Sequence, residues 1–267
     1  DLVDDEWAEF MIDEVKGRLA GGPYENAEII AVSSRTGEGL DDLKAALGRA
    51  AKATKRQKAS DSARLPIDRV FTIKGVGTVI TGTLWSGTIS IGDELEVLPS
   101  GRMSRVRSIQ IHGESVDRAE AGHRVALNLN ALSTEEVRPG DFLAAPHTVT
   151  ATDRFDADFT YLGLSSSDKP LESGARVHVS HGTREVTGRI LRIGDKQDFK
   201  PGERAYAQIR LDEELPVSWQ DHFIVRSYSP VHVIGGGVVL RAHPKRSTTA
   251  TPEKIALLDA LRDGDGD

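Results

Sequence analysis

The chain begins with apolar residues at the spacing of an amphipathic helix. Residues 5–19 place apolar side chains three or four positions apart, and the acids Asp4 and Asp5 stand where a helix N-terminus favours negative charge. Residues 27–34, AEIIAVSS, then predict a buried strand, and a second amphipathic helix follows a glycine turn. A strand between two helices is typical of a parallel α/β sheet. Residues 1–51 therefore look like the end of a larger α/β domain.

The apolar pattern changes after a polar, basic segment, residues 52–63, which predicts a linker. Residues 64–147 contain six short runs rich in Val, Ile and Thr, separated by glycine-containing turns. Evenly spaced short strands with turn signals predict a small closed β-barrel. Residues 148–246 contain six further runs and predict a second barrel or sandwich, and residues 247–267 begin a helix of another domain. The predicted fold class is mainly β, with two consecutive barrels behind the end of an α/β domain.

Composition narrows the class of protein only slightly. The 267 residues are 38% hydrophobic and 28% charged, which is typical of a globular protein. Cys is absent, which excludes disulfides and thiolate metal sites and fits a cytoplasmic protein. No apolar run is long enough to span a bilayer, and no signal peptide is recognisable. We therefore expect a cytoplasmic protein without a membrane partner.

The net charge of −7 is concentrated at the front of the chain. Residues 1–51 hold 12 Asp and Glu against 5 Lys and Arg, whereas residues 64–146 hold 10 against 9. Local patches decide nucleic-acid binding, so the acidic total does not exclude a nucleic-acid partner.

A glycine-rich stretch, LPIDRVFTIKGVGTVITGT at residues 65–83, superficially suggests a phosphate-binding loop. A P-loop needs a lysine after its last glycine and a helix behind it, but here another strand follows. We expect Gly82 and Gly87 to mark bends where side chains would collide. The adjacent charges of Asp68 and Arg69 then need a separate explanation.

Three segments carry a resemblance to a known family. They are IDRVFTIKGVGTVITGT, the strand SIQIHG and the later run RSYSPVHVIGGG. Together they resemble the second and third domains of translational GTPases similar to elongation factor Tu, and within that group the selenocysteine-specific elongation factors. The resemblance implies two elongation-factor-type barrels, binding of selenocysteinyl-tRNA, and delivery to the ribosome at a recoded UGA codon, by a protein that we expect to be a monomer.

The same resemblance implies a remnant of a guanine-binding site in residues 1–51. Asp1 matches the last residue of the guanine-specificity motif, where a carboxylate accepts hydrogen bonds from the base. Ser33, Ser34 and Arg35 match a loop whose backbone N–H contacts the guanine oxygen. The P-loop, the switch regions and the magnesium ligands find no match in this sequence. We therefore expect GTP and Mg²⁺ in the intact protein and no cofactor on this chain alone, and whether the chain is an enzyme stays open. The family binds its messenger-RNA hairpin through C-terminal winged-helix domains, of which residues 252–262 match a first helix.

Three residues match the family's pocket for the selenocysteine side chain: Asp68, Arg69 and Arg124. A selenol is more acidic than a thiol, so it is ionised at a pH where a Cys thiol, with a pKa of about 8.5, is mostly neutral. Arginine suits an anion because it keeps its proton and is weakly hydrated. Asp68 would orient an arginine or receive the α-amino group, and Glu136 matches a residue near the terminal adenosine of the tRNA.

Alternatives stay open for these residues and for the function. Asp68 and the arginines could form a structural pair on a barrel surface, and Glu136 could be a solvated turn acid. Arg184, Arg189 and Arg192 could contact tRNA phosphates or form a solvated charged face. The chain could also belong to a general aminoacyl-tRNA carrier or be a non-catalytic tandem-barrel module.

We expect the 267-residue chain to bind GTP weakly and not to hydrolyse it, because phosphate-cradling amides, a lysine and Mg²⁺ supply most of the binding and catalysis in this class. Isothermal titration with GTP and Mg²⁺ checks this expectation. Tight binding would contradict it.

Overall fold

The computed structural model describes residues 2–22, 24–53, 62–130, 132–163 and 169–264. The chain divides into two compact units, Asp1–Lys58 and Ala59–Asp267, which are described separately below. Asp1 lies outside the described residues.

The first unit is built on two helices, α1 (Asp5–Leu19) and α2 (Leu40–Ala53). The Asp4 side chain caps α1 by accepting a hydrogen bond of 2.9 Å from the backbone N–H of Trp7, as a helix N-terminus requires. The predicted strand at 27–34 is wrong: the structure shows no strand there. A strand needs a neighbour to satisfy its backbone, and this segment finds none among the described residues of the unit. Residues 52 and 53, predicted as linker, belong to α2, and residues 54–61 lie outside the described residues.

The second unit begins with a barrel whose closed order is β1-β2-β8-β5-β4-β9, with β6 attached to β5 and β3 paired with β7. Buried side chains such as Leu65, Ile80, Ile109 and Leu127 fill its interior. The strands are β1 (Arg64–Ile73), β2 (Gly77–Thr83), β3 (Thr88–Ser90), β4 (Glu94–Leu98), β5 (Arg102–Ile111), β6 (Glu114–Val116), β7 (Arg118–Glu120), β8 (Arg124–Leu129) and β9 (Phe142–Ala144).

A second closed barrel follows, in the order β10-β15-β13-β12-β16-β17, with β11 paired to β14 beside it. Its core includes Phe155, Phe159, Phe199 and Phe223. The strands are β10 (Thr152–Tyr161), β11 (Leu171–Glu172), β12 (Ala175–His181), β13 (Arg184–Arg192), β14 (Asp198–Phe199), β15 (Arg204–Leu215), β16 (His222–Ser227) and β17 (Val233–Ala242). The prediction of a mainly β fold with two consecutive barrels is confirmed.

Glycines in β2 and β17 allow neighbouring strands to approach closely. A Cβ at Gly82 would stand 2.2 Å from the Pro66 carbonyl oxygen, and one at Gly237 would stand 2.0 Å from the Asp158 carbonyl oxygen. Any side chain would clash with the backbone there, so the glycines serve strand curvature rather than a phosphate. Residues 74–76, which include Lys74, accordingly form the turn between β1 and β2.

A buried ionic contact joins the two barrels. Arg64 of β1 donates two hydrogen bonds, of 2.9 and 2.7 Å, to the carboxylate of Asp221, which precedes β16. His181 Nε2 lies 3.0 Å from the same carboxylate, and its ring stacks on Phe142 at 5.2 Å. Thr183 Oγ1 also donates to the carbonyl oxygen of Ile67 at 2.8 Å, so backbone and side chains both connect the barrels.

A third helix, α3 (Pro252–Asp263), packs on the second barrel. Its N-cap is Thr251, followed by Pro252 at the first helical position. Leu258 is buried against Ile193 and Leu240, and Trp219 Nε1 donates to the Leu261 carbonyl oxygen at 2.9 Å. The helix is therefore an integral part of the barrel surface.

We expect Asp221→Asn to destabilise the protein at neutral pH by about 3 kcal/mol, because it leaves a buried Arg64 without its counter-ion. Burial alone would raise the pKa of Asp221, but hydrogen bonds from Arg64 and His181 lower it to about 2. A lowered carboxyl pKa stabilises the fold above the unfolded pKa of about 3.9, and this contribution disappears as pH falls towards 2.

Urea unfolding at pH 7 and between pH 4 and 2 measures both effects. The variant should be less stable at pH 7 and lose less further stability on acidification. Asp195→Asn, at an exposed position, is the matched control and should behave as wild type. Equal acid dependence in wild type and Asp221→Asn would contradict the assignment.

Candidate functional site

Three neighbouring strands of the first barrel bring an acid, a hydroxyl and a base together on the outer surface. Asp68 lies at a register shift between Ile67 and Arg69 in the pairing of β1 with β2. Such a bulge re-aims side chains. Both terminal nitrogens of the Arg124 guanidinium donate to the Asp68 carboxylate, Nη2 to Oδ1 at 3.0 Å and Nη1 to Oδ2. Thr81 Oγ1 donates to Asp68 Oδ1 at 2.6 Å. The bidentate pair thus crosses β2 from β1 to β8.

The electrostatics of this cluster keep Asp68 ionised. Burial opposes ionisation, but hydrogen bonds from Arg124 and Thr81 outweigh it and hold the pKa of Asp68 below its usual value. Asp68 in turn raises the pKa of Arg124. The Arg124 side chain remains half exposed, so its charge can act on a bound ligand.

Arg69 has a different environment from Arg124. It is exposed, lies opposite Thr81 and makes no ion pair or hydrogen bond with the described residues. Its charge contributes to the lowered pKa of Asp68 through space. The Asp68 carboxylate therefore interacts with two guanidinium groups. The cluster of Asp68, Arg69 and Arg124 has a net charge of +1.

A shallow depression of about 200 Å³ borders Arg124 and Thr81. Gln110 and His112, from the end of β5 and the turn to β6, line it as well. His112 has a positive φ of 53°, which the tight turn imposes. Sequence reasoning missed both residues, although they belong to the segment SIQIHG that carries the family resemblance.

Glu136 is held in a turn rather than in this cluster. Its carboxylate accepts a 2.9 Å hydrogen bond from the Ser133 backbone N–H and pairs with Arg102 at 2.7 Å. The hydrogen bond from Ser133 lowers the pKa of Glu136. The described contacts do not connect it to Asp68 or the two pocket arginines.

In the first unit, Ser33 anchors the loop that precedes α2. Its side chain is buried and accepts from the Thr36 N–H at 3.2 Å, while its own N–H donates to the Glu38 carbonyl oxygen at 3.0 Å. Ser34 and Arg35 are exposed at the outside of this turn. The predicted guanine-contact positions thus lie on an exposed turn, and Asp1 lies outside the described residues.

The described part of the chain offers no cluster for a metal ion and no helix suited to cross a membrane. No cluster of three or more His, Asp or Glu side chains there is arranged to hold a metal ion. None of the helices in the described ranges has the length and apolar character needed to cross a membrane.

Both barrels match known protein families. Residues 77–144 match the family model described as elongation factor Tu domain 2, and residues 160–246 match the selenocysteine-specific elongation factor beta-barrel domain. The selenocysteine-specific elongation factor of Desulfomicrobium baculatum is 39% identical over 100% of this chain and 44% of its own length. That of Haemophilus influenzae is 35% identical over 83% of this chain and 34% of its own length.

Solved structures agree with these matches. The elongation factor SelB of Methanococcus maripaludis, in its apo form, superimposes with a TM-score of 0.80 at 25% identity over 91% of this chain and 56% of its own. A bacterial selenocysteine-specific elongation factor gives 0.79 at 28% identity over 98% and 41%.

The paired barrels define the class, because the chain carries the two barrels of elongation factors similar to elongation factor Tu. Within that class, it belongs to the family of selenocysteine-specific elongation factors. It spans less than half the length of the two curated relatives described above.

We expect Thr81→Val to raise the pKa of Asp68, because it removes a hydroxyl donor while keeping the β-branched shape. The lost hydrogen bond contributes about 0.5–1.5 kcal/mol to the ionised form. Carboxyl-detected NMR titration measures it, with the exposed Thr72→Val as control. An unchanged Asp68 titration in Thr81→Val would contradict the assigned contact.

Proposed function

We propose that this chain is the tRNA-binding core of a translation elongation factor that carries selenocysteinyl-tRNA to the ribosome at a recoded UGA codon. The observation that carries the proposal is the Asp68, Arg69 and Arg124 cluster, a net positive site beside a shallow depression. The intact factor works in the cytoplasm as a monomer, and domains beyond this chain bind the messenger-RNA hairpin.

The net charge of the cluster suits an ionised selenol. A selenolate gains a charge-assisted contact that a neutral seryl hydroxyl does not. Asp68 holds Arg124 in place by a bidentate contact and acts on Arg69 only through space, so Arg69 supplies the excess positive charge. Gln110 and His112 offer hydrogen-bonding groups to the α-amino and ester groups of the same residue.

The 3′ end of the tRNA and the GTP nucleotide would contact other residues. Glu136, fixed by Arg102 and the Ser133 N–H, packs near the terminal adenosine. The exposed turn of Ser34 and Arg35, which Ser33 anchors, fits a backbone contact with the guanine oxygen. Asp1 would accept hydrogen bonds from the base edge. GTP with Mg²⁺ would supply the conformational signal for tRNA release, through residues beyond this chain.

A general aminoacyl-tRNA carrier is the second candidate. Elongation factor Tu 2 of Streptomyces avermitilis is 30% identical over 66% of this chain and 45% of its own length. A general carrier has no need to distinguish a selenolate from a hydroxyl, so selectivity at Arg69 and Arg124 separates the two candidates.

We expect Arg69→Ala and Arg124→Ala in the full-length factor to weaken binding of selenocysteinyl-tRNA by roughly ten-fold to a hundred-fold, with little change for seryl-tRNA. This range corresponds to about 1.5–3 kcal/mol for a contact with a charged group. Arg→Lys should restore binding only in part, because lysine lacks the planar fork. The measurement is the dissociation rate of each aminoacyl-tRNA in the GTP state.

The matched control is Arg118→Ala, an exposed arginine elsewhere on the same barrel. It should leave both dissociation rates unchanged. Equal losses for the seryl and selenocysteinyl forms in the Arg69 and Arg124 variants would contradict the proposed pocket and favour the general carrier.

A further inference from the structure

The outer face of the second barrel carries three arginines directly opposite one another. Arg210 of β15 faces Arg154 of β10 on one side and Arg189 of β13 on the other. Residues paired across antiparallel strands point to the same face. The neighbouring Ile209 and Ile190 are in the core, so the arginines point outward. Like charges directly opposite each other destabilise a sheet. A negatively charged ligand would therefore stabilise this arrangement.

The described contacts of these arginines compensate little of their charge. Arg210 Nε donates to the neutral amide oxygen of Gln208 at 2.9 Å, and Arg189 Nη1 donates to the Gly174 carbonyl oxygen at 2.8 Å. Arg154 alone of the three has an ion pair within the described residues, with Asp153 at 3.0 Å. Burial, followed by the charges of Arg246 and Arg154, lowers the pKa of Arg210.

A fourth cation adds to this row, and two nearby acids, Asp156 and Asp212, act on the row through space while they pair with other cations. Arg246, exposed after β17, makes no ion pair with the described residues, and its charge acts on Arg210. Asp212 pairs with Arg176 at 3.2 Å and accepts a hydrogen bond from Thr187. The buried Asp156 has its own cation, Lys254, at 3.4 Å. The face therefore keeps an excess of positive charge.

We propose that this arginine row, formed by Arg154, Arg189, Arg210 and Arg246, binds the phosphate backbone of an RNA helix. Strands about 4.8 Å apart place the outer two of the three aligned arginines about 10 Å apart at Cα, in a line that suits several phosphates better than one small anion. Guanidinium groups bind phosphate oxygens bidentately. Contacts to the backbone position an RNA without reading its sequence.

The row differs from the set of arginines that sequence spacing suggested. Arg184 forms ion pairs with Asp141 and Glu213, and Arg192 forms one with Glu203. Only Arg189 of that set therefore belongs to the row. The inference rests on the proposed function, in which RNA is the polyanion that the protein meets. An acidic protein surface is the competing partner, and the experiment distinguishes the two.

The test uses the 267-residue chain and a fluorescein-labelled RNA duplex of arbitrary sequence, with anisotropy measured from 50 to 200 mM KCl. We expect Arg189→Gln and Arg246→Gln each to reduce the slope of log affinity against log salt by about one, and the double variant by about two. Both side chains are exposed, so the fold is retained. The matched control, Lys200→Gln, removes an exposed charge of the same barrel outside the row and should leave the slope unchanged.

An unchanged slope in both arginine variants, or an equal change in Lys200→Gln, would overturn the proposal. A labelled polyglutamate peptide that binds as tightly as the duplex, and loses binding in the same variants, would reassign the row to an acidic protein. In the full-length factor, Arg246→Gln should leave the discrimination between selenocysteinyl- and seryl-tRNA unchanged. The experiments therefore distinguish a wrong assignment of the arginine row from a wrong assignment of the selenocysteine pocket.

Discussion

The buried contact of Arg64 with Asp221 is the constraint on which the rest of the second unit depends. Both side chains are almost fully removed from solvent, and His181 adds a third polar group to the same carboxylate. A carboxylate at such a position is tolerated only when it is paired and hydrogen-bonded. Arg64 opens β1, the strand that also carries Asp68 and Arg69. The contact that holds the barrels together therefore also fixes the strand on which the candidate pocket is built.

Two bidentate arginine–aspartate pairs of this unit, Arg64 with Asp221 and Arg124 with Asp68, differ in exposure, and so in what they can do. The Arg64 and Asp221 side chains are 12% and 10% exposed, whereas those of Arg124 and Asp68 are 50% and 26% exposed. Exposed ion pairs contribute little stability and exchange partners at low cost. The Arg64–Asp221 pair is thus a structural contact between the barrels. The Arg124–Asp68 pair can accept an anion without unfolding the barrel.

Much of the fold could be predicted from the sequence, because its signals are local. Turn residues at regular spacing indicated both barrels, and the acids Asp4 and Asp5 indicated the start of α1. The strand at 27–34 was wrong because a strand depends on a neighbour, which a local pattern does not contain. Asp68 and Arg124 were predicted to share a site through family resemblance, but their bidentate contact depends on the bulge beside Ile67. The row of Arg154, Arg189 and Arg210 depends on register between distant strands, which spacing within one strand cannot reveal.

The positions of the three tryptophans have a practical consequence for spectroscopy. Trp7 contacts Phe10 in the first unit, Trp85 lies edge-on to Phe142 and His181 between the barrels, and Trp219 is hydrogen-bonded to α3. Each chromophore therefore lies in a different part of the molecule. Replacing any two with phenylalanine leaves an emission signal that follows either the first unit, the separation of the barrels or the undocking of the last helix.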